Sequence, residues 1–384
     1  MKLFGRLRVP LAAMAVLTCG CAPLRYINQA PFIERHVRAS RDPTWLAMFK
    51  AAVLVPARDI LILDPVWRQV FGDTAWNGSD GGVDDSSFYT NRSPDELTPE
   101  RVALGPAPEL RPRPPFAIQK LRARHGRRSF VGRDACGRIY LFKLDDEQYP
   151  ELATSATIIG QRILWAAGYN VPPVFLVDIE GTGDPHFDGR RATATLYLEN
   201  ARGHFHFDWF RYRRELRGLR LVSAWINDVD RVDTNTLVVE EDGRAIYYLI
   251  DFDSCLGAWQ GRPKESWRGW RYQWDIAWTF ARLLTLGLAH PEPQPRQAVV
   301  SPALGRFAAD DFDPLAWRPQ VPNSAFEHMD AADRRWIVAK IAQLGRPQIE
   351  RIVAEARLSN PADGRYLVEA LLGRRARILA LAGE

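Results

Sequence analysis

The chain has 384 residues, 46% hydrophobic and 25% charged, with 27 Gly and 27 Pro. That composition excludes collagen-like, coiled-coil and wholly disordered chains, and the length suffices for about two domains around a sizeable core. The formal net charge of +5 is a weak argument for nucleic acid, because phosphate binding needs clustered charge.

Lys2, Arg6 and Arg8 precede a short apolar run over 9–18, interrupted by Pro10, and then Thr18-Cys19-Gly20-Cys21. Ten or so apolar residues are too few to cross a bilayer, but a charged start, a short apolar stretch and small residues at its end predict a secretion signal over 1–20. Gly20-Cys21 resembles the end of a bacterial lipoprotein signal, although Thr18 stands where that family prefers Leu. The resemblance implies lipidation at Cys21, a membrane held through that anchor and an extracytoplasmic place in the bacterial cell envelope. The three basic residues of this leader carry three of the five net positive charges, so the nucleic-acid hint loses its main support and no nucleic-acid partner is expected. No later segment stays apolar for 18 residues, so no other span is expected. With Cys21 as anchor, Cys136 and Cys255 remain, either as plain thiols or as a disulfide, which an oxidising compartment permits.

Residues 21–115 read as an N-terminal extension and Pro-rich linker. A helix is expected within 51–70, a polar loop over 77–99 and a Pro-dense linker over 105–115. The acidic run 77–85 lacks the alternating spacing of a calcium loop and reads as a solvated loop. From Phe116 the pattern changes. Strands are predicted over 116–121, 129–134 and 139–144, joined by turns at Gly126 and Gly137. A helix over 151–167 follows, with apolar residues at helical spacing, and then strands over 174–179 and 192–198. A helix is predicted over 215–227, a hairpin over 235–240 and 245–252 around Asp242-Gly243, and mainly helix beyond 268, with Trp274 and Trp278 on a core face. The order is α+β in two lobes: a β-rich N-lobe over 116–200 and a mainly helical C-lobe over 201–384.

The chemistry concentrates in two segments. One loop between helix and strand holds Asp228, Asp230, Asp233 and Asn235, and an apolar strand ends at Asp251 with Asp253 two residues on. Hard oxygen donors at the ends of neighbouring strands suit Mg²⁺, with phosphate oxygens and water completing its shell. Asp and Asn also fill turns, which is the bland alternative. His204 and His206 share a strand face at a spacing that can bind metal, but without an evident third ligand they read as half-buried aromatics. No nucleophile elbow supports a hydrolase.

Asp230-Arg231-x-x-x-Asn235, followed by Leu249-Ile250-Asp251-Phe252 and Leu256-Gly257, resembles the catalytic loop and metal motif of the protein-kinase-like fold, especially phosphoinositide kinases. Asn227 ahead of Asp230 is similar to HipA-type kinases. The resemblance implies a two-lobed kinase-like fold and phosphoryl transfer from Mg-ATP to an unknown protein, lipid or small-molecule acceptor. Asp230 would take the catalytic role, with Asp228 its rival. Asn235, Asp251 and Asp253 would hold metal. Lys143, one of only six Lys among 51 basic residues, would grip phosphates, where its compact charge differs from an Arg fork. Glu151 would pair with Lys143, with Glu147 its alternative. Gly126 would lie in the phosphate-covering turn, where Arg124, Arg127 and Arg128 are further candidates for phosphates. Several departures set the chain apart from ordinary protein kinases. It has no Gly-x-Gly-x-x-Gly loop and no Ala-Pro-Glu, Asp228-Val229 replaces His-Arg, and Asp253 replaces the Gly after Asp-Phe. The readings are therefore an atypical kinase, a kinase-fold binding or scaffold module of the cell envelope without phosphotransfer, or nucleotidyl transfer on the same site.

Overall fold

A computed structural model describes residues 33–55, 74–78, 82–124, 127–273 and 297–383. Cys21, Gly126, Trp274, Trp278 and the leader over 1–20 lie outside the described residues, as do the side chains of Arg124 and Arg127 and the later part of the 51–70 segment. No helix among the described residues is long and apolar enough to cross a membrane.

The N-terminal extension enters through helix α1 (Thr44–Phe49), which continues as a wider helical turn over Lys50–Leu54, and later forms α2 (Pro99–Leu104). It is built into the C-lobe. The Phe88 ring stacks on Tyr247 at 4.2 Å, and Val83, Tyr89, Leu97 and Val102 join the main core. The 105–115 stretch is packed rather than slack. Tyr140 Oη donates to the Leu110 carbonyl at 2.6 Å, and Asp134 accepts from the Arg113 amide at 3.3 Å.

The β-rich lobe is one antiparallel sheet of β1 (Ala117–Arg124), β2 (Arg127–Arg133), β3 (Ile139–Leu144), β4 (Val174–Asp178) and β5 (Arg191–Leu196), in the order β1-β2-β3-β5-β4. Strict alternation in β3 buries Tyr140, Phe142 and Leu144 in an aromatic core with Phe116, Phe130 and Phe175. The two-residue period then sends Leu141 and Lys143 to the opposite face. Register pairs Lys143 with Ser129 on one side and Thr193 on the other, which fixes Lys143 in the centre of the sheet.

Helix α3 (Leu152–Ala166) is buried along its entire length. Asp145 organises its start: one carboxylate oxygen accepts from the amides of Ala153 and Thr154, both at 2.9 Å, and the other from the Glu151 amide at 3.0 Å. These are the donors a helix N-terminus leaves unpaired. Gly160 lets α3 approach the segment after Asp251, since a Cβ there would meet Cys255 Sγ at 2.7 Å. Cys255 is a buried free thiol and Cys136 an exposed one, so the disulfide does not form.

Strand β6 (Ala201–Gly203) opens the second lobe, followed by α4 (Arg214–Trp225) and the hairpin of β7 (Thr236–Glu241) and β8 (Arg244–Leu249). Asp242 and Gly243 both have positive φ, 48° and 70°, as a tight hairpin turn requires. The short strands β9 (Ala258–Trp259) and β10 (Arg262–Pro263) come next. The lobe is completed by α5 (Ser324–Glu327), α6 (Ala331–Ala342), α7 (Arg346–Ala354) and α8 (Pro361–Leu379). This is the two-lobed α+β arrangement that the sequence predicts.

Candidate active site

The acidic loop begins where α4 ends, and that end is fixed by a buried cation. Arg374 of α8 donates to the carbonyls of Ala224 at 2.6 Å and Trp225 at 2.8 Å. It thereby satisfies two of the acceptors that a helix C-terminus leaves open. The chain then turns through Asn227, at a φ of 50°, into Asp228.

Asp228 and Arg231 are both fully buried. Arg231 Nε and Nη2 each lie 2.8 Å from Asp228 Oδ2. Arg231 Nη1 also donates to the carbonyls of Asn235 at 2.8 Å and Ile250 at 2.9 Å. One guanidinium therefore ties the acidic loop to the strand end that carries Asp251. Asp228, considered as a rival to Asp230, is the anchor of this brace. The sequence motif contains Arg231 but gives no sign of its bracing role.

Five of the expected residues, Lys143, Asp230, Asn235, Asp251 and Asp253, line a single cleft of about 630 Å³. Lys143 Nζ lies 2.7 Å from Asp251 Oδ1 and 3.2 Å from Asp253 Oδ2. Asp251 sits at a φ of 58°, a left-handed conformation unusual for a residue with a Cβ and a recurrent feature of functional sites. Asn235 Nδ2 donates to the Asp230 carbonyl at 2.8 Å, which leaves its Oδ1 as the acceptor. Asp230 Oδ1 accepts from Gln320 Nε2, a partner 90 residues away that no sequence signal announces. Burial, followed by the neighbouring carboxylates of Asp251, Asp228 and Asp253, pushes the Asp230 carboxyl up to about 7.

Lys264 was also missed, although its rarity in the chain was a signal. It is buried, and its Nζ donates to the carbonyls of Asn227 and Leu256, the latter at 2.7 Å. It thus clamps the start of the acidic loop to the turn after Asp251. Burial draws its pKa down to about 7.

Glu151 corrects the sequence reading. Because Asp145 takes the start of α3, Glu151 adopts a left-handed φ of 68° and is engaged elsewhere. Its two oxygens accept from the Ser359 amide at 3.0 and 3.2 Å, with Arg191 4.0 Å away. Asp251 and Asp253 hold Lys143 instead. The alternative, Glu147, pairs with Arg190 at 3.2 Å. Arg122, Arg128 and Ser129, at the β1–β2 end of the sheet, also line the cleft.

The donor set fits a divalent cation of the magnesium kind. Two carboxylates and an amide oxygen are hard ligands, and they leave coordination positions for phosphate oxygens and water. Among the described residues no group of three or more His, Cys, Asp or Glu side chains forms a metal site by itself. His206 instead bridges two carboxylates, with Nδ1 2.6 Å from Asp233 Oδ2 and Nε2 3.5 Å from Asp42 Oδ2. That contact fastens the N-terminal extension to the acidic loop.

No protein-family model and no curated protein matches the chain. Among solved structures it is similar to a Helicobacter pylori proinflammatory kinase, CtkA, with 9% identity, a TM-score of 0.42 and coverage of 70% of this chain and 94% of that one. The Shewanella oneidensis HipA, from a complex with HipB and operator DNA, matches at 10% identity and a TM-score of 0.32, over 91% of this chain and 89% of that one. A Leishmania major MAP kinase matches at 11% identity and a TM-score of 0.25, over 70% and 81%.

Proposed function

We propose that this chain is an extracytoplasmic, membrane-anchored, kinase-like lipoprotein that transfers the γ-phosphoryl group of Mg-ATP to a hydroxyl of an acceptor. The observation that carries the reading is the convergence of Lys143, Asp230, Asn235, Asp251 and Asp253 on one cleft. An adjoining, mostly apolar cavity of about 230 Å³ shares Leu141, Lys143 and Asp251 with that cleft and is walled by Leu196, Leu198, Leu237 and Ile250. Its chemistry suits a planar nucleobase.

Asp251, Asp253 and the Asn235 amide oxygen would hold magnesium. Bound there, the ion supplies charge neutralisation on phosphate oxygens. Lys143 would exchange its carboxylate partners for phosphate oxygens, and Arg128 and Ser129 would lie over them. Asp230, deprotonated, would accept the hydroxyl proton as the acceptor oxygen bonds to the γ-phosphorus. The bond from that phosphorus to the bridging oxygen breaks, and ADP leaves with the electron pair. The brace through Arg231 holds base and metal ligands in fixed relation, as catalysis by positioning requires.

The test is a calorimetric titration of the purified chain with Mg-ATP, paired with mass spectrometry of a turnover mixture. Binding that is lost in Asp251→Ala, with ADP as product, is the expected result. No heat at millimolar nucleotide would leave the binding or scaffold reading, and pyrophosphate as product would leave nucleotidyl transfer.

A further inference from the structure

Besides Lys143, Arg122 and Arg128, the cleft is lined by one more cation. Arg268 lines the cleft together with Trp259, Gln260, Gln273 and Gln320, and Gln320 is the residue that donates to Asp230. Arg268 is only 8% exposed. Its guanidinium carbon lies 3.5 Å from the Trp259 ring centroid and 4.5 Å from that of Trp267. Its Nε donates to Glu265, but its Nη1 is buried without a hydrogen-bond partner among the described residues.

Such a group is unusual. A buried donor left unpaired is destabilising, the more so when it is charged. Glu265 answers Nε and leaves Nη1 unanswered. Aromatic rings against a guanidinium fix its plane, so that its remaining donors keep a set direction. Planar, fixed donors match the paired oxygens of a carboxylate or a phosphate. The neutral amides of Gln260, Gln273 and Gln320 line the same cleft, and Gln320 already donates to Asp230, a carboxylate that, like Glu265, acts on Arg268.

We propose that Arg268 binds an anionic group of the acceptor, so that the acceptor is a hydroxy compound carrying a phosphate or a carboxylate. This rests on the phosphotransfer reading above for the word acceptor, but the anion subsite itself stands on Arg268 and its surroundings. The anion would dock on Arg268 while the hydroxyl of the same molecule reaches Asp230.

Inorganic phosphate and acetate are the probes. Each is titrated calorimetrically into the full chain as wild type, Arg268→Gln and Arg268→Lys. Phosphate or acetate is expected to bind the wild type at least tenfold more tightly than Arg268→Gln, with Arg268→Lys between them. Tighter phosphate assigns a phosphorylated acceptor, and tighter acetate a carboxylated one. Equal affinities in wild type and Arg268→Gln for both probes overturn the proposal. Hydrogen exchange on the wild type alone guards against a variant that fails to fold. Slower exchange over 265–273 on adding the tighter-binding probe supports the subsite, and protection confined to the strands around Lys143 overturns it. A parallel titration with Mg-ADP separates the two readings. Arg268-dependent anion binding without Mg-ADP binding keeps the subsite and removes the phosphotransfer assignment. Mg-ADP binding without Arg268 dependence does the reverse.

Discussion

Lys143 of the sheet lobe and Asp251 of the helical lobe meet at 2.7 Å across the cleft, and the same ammonium reaches Asp253 at 3.2 Å. One cation thus neutralises two carboxylates that would otherwise repel each other, and it occupies the face where a divalent metal would bind. Lys143→Met removes this competitor. The variant is expected to bind Mn²⁺ more tightly than the wild type by calorimetry, while its Mg-ATP turnover falls at least a hundredfold. Unchanged Mn²⁺ affinity would mean that the two carboxylates are not the metal ligands.

Asp228 and Asp230 are two residues apart and are expected to fail in different ways. Asp230→Asn should lower turnover by about 10²–10⁴-fold, the usual range for loss of a general base, with Mg-nucleotide affinity retained. Asp228→Ala leaves Arg231 buried without its carboxylate, which costs about 3–5 kcal/mol. Urea unfolding reads that loss as a lower midpoint. A folded, fully stable Asp228→Ala protein with no activity would reverse the two roles.

The raised carboxyl of Asp230 has a pH signature. With its pKa at about 7, the base is mostly protonated below neutrality, so turnover should rise about tenfold per pH unit on the acid side and level off above about pH 8. The stability effect has the opposite sign. The folded protein holds this proton more tightly than the unfolded chain, whose carboxyl titrates near 3.8, so the contribution is full below that value and is lost as pH rises through about 7. Asp230→Asn should remove both limbs, as pH–rate profiles and pH-dependent unfolding midpoints will show.

Lys264→Met keeps the apolar stem and removes the ammonium that serves the Asn227 and Leu256 carbonyls. Each carbonyl keeps a second donor, Leu256 from Asn227 Nδ2 at 3.1 Å and Asn227 from the Val229 amide at 3.0 Å, so the variant loses two hydrogen bonds at roughly 0.5–1.5 kcal/mol each. The melting temperature should drop, and hydrogen exchange should accelerate around 227–231 and 255–258 before it does so elsewhere.

For the anchor, Cys21→Ser is expected to move the protein from the membrane fraction to the soluble one in a flotation gradient. A variant that still floats removes lipidation at that residue.

Much of this site could be read from the chain because its signals are local. Alternation in 139–144 places Lys143 opposite the core, Asp242-Gly243 sets the hairpin, and the hairpin brings Asn235 and Asp251 to one end. What escaped the sequence is held by distant contacts. Gln320 on Asp230 and Arg374 on the end of α4 are joined across 90 and about 150 residues, and no periodicity encodes such pairs. The extension over 82–115 looked like irregular chain because its turns and short helices lack a repeat, yet Phe88 and Tyr89 are core residues. Glu151 misled for a local reason: it stands at a helix start, but Asp145 had already taken the donors there.

Helix α3 is covered on every side, and its consequence concerns traffic through the cleft. Arg162 of α3 donates to the carbonyl of Ala103 at 2.8 Å and to that of Val174 at 3.0 Å, so the helix is bonded at once to the N-terminal extension and to the sheet, while Gly160 rests against Cys255. Swinging this helix outward would strip a buried guanidinium of its partners and open a void in a continuous interior. The lobes are therefore welded along their shared spine. On the proposed reading, reactants would enter and products leave by the open mouth of the cleft, and a nucleotide would first have to release Lys143 from its two carboxylates.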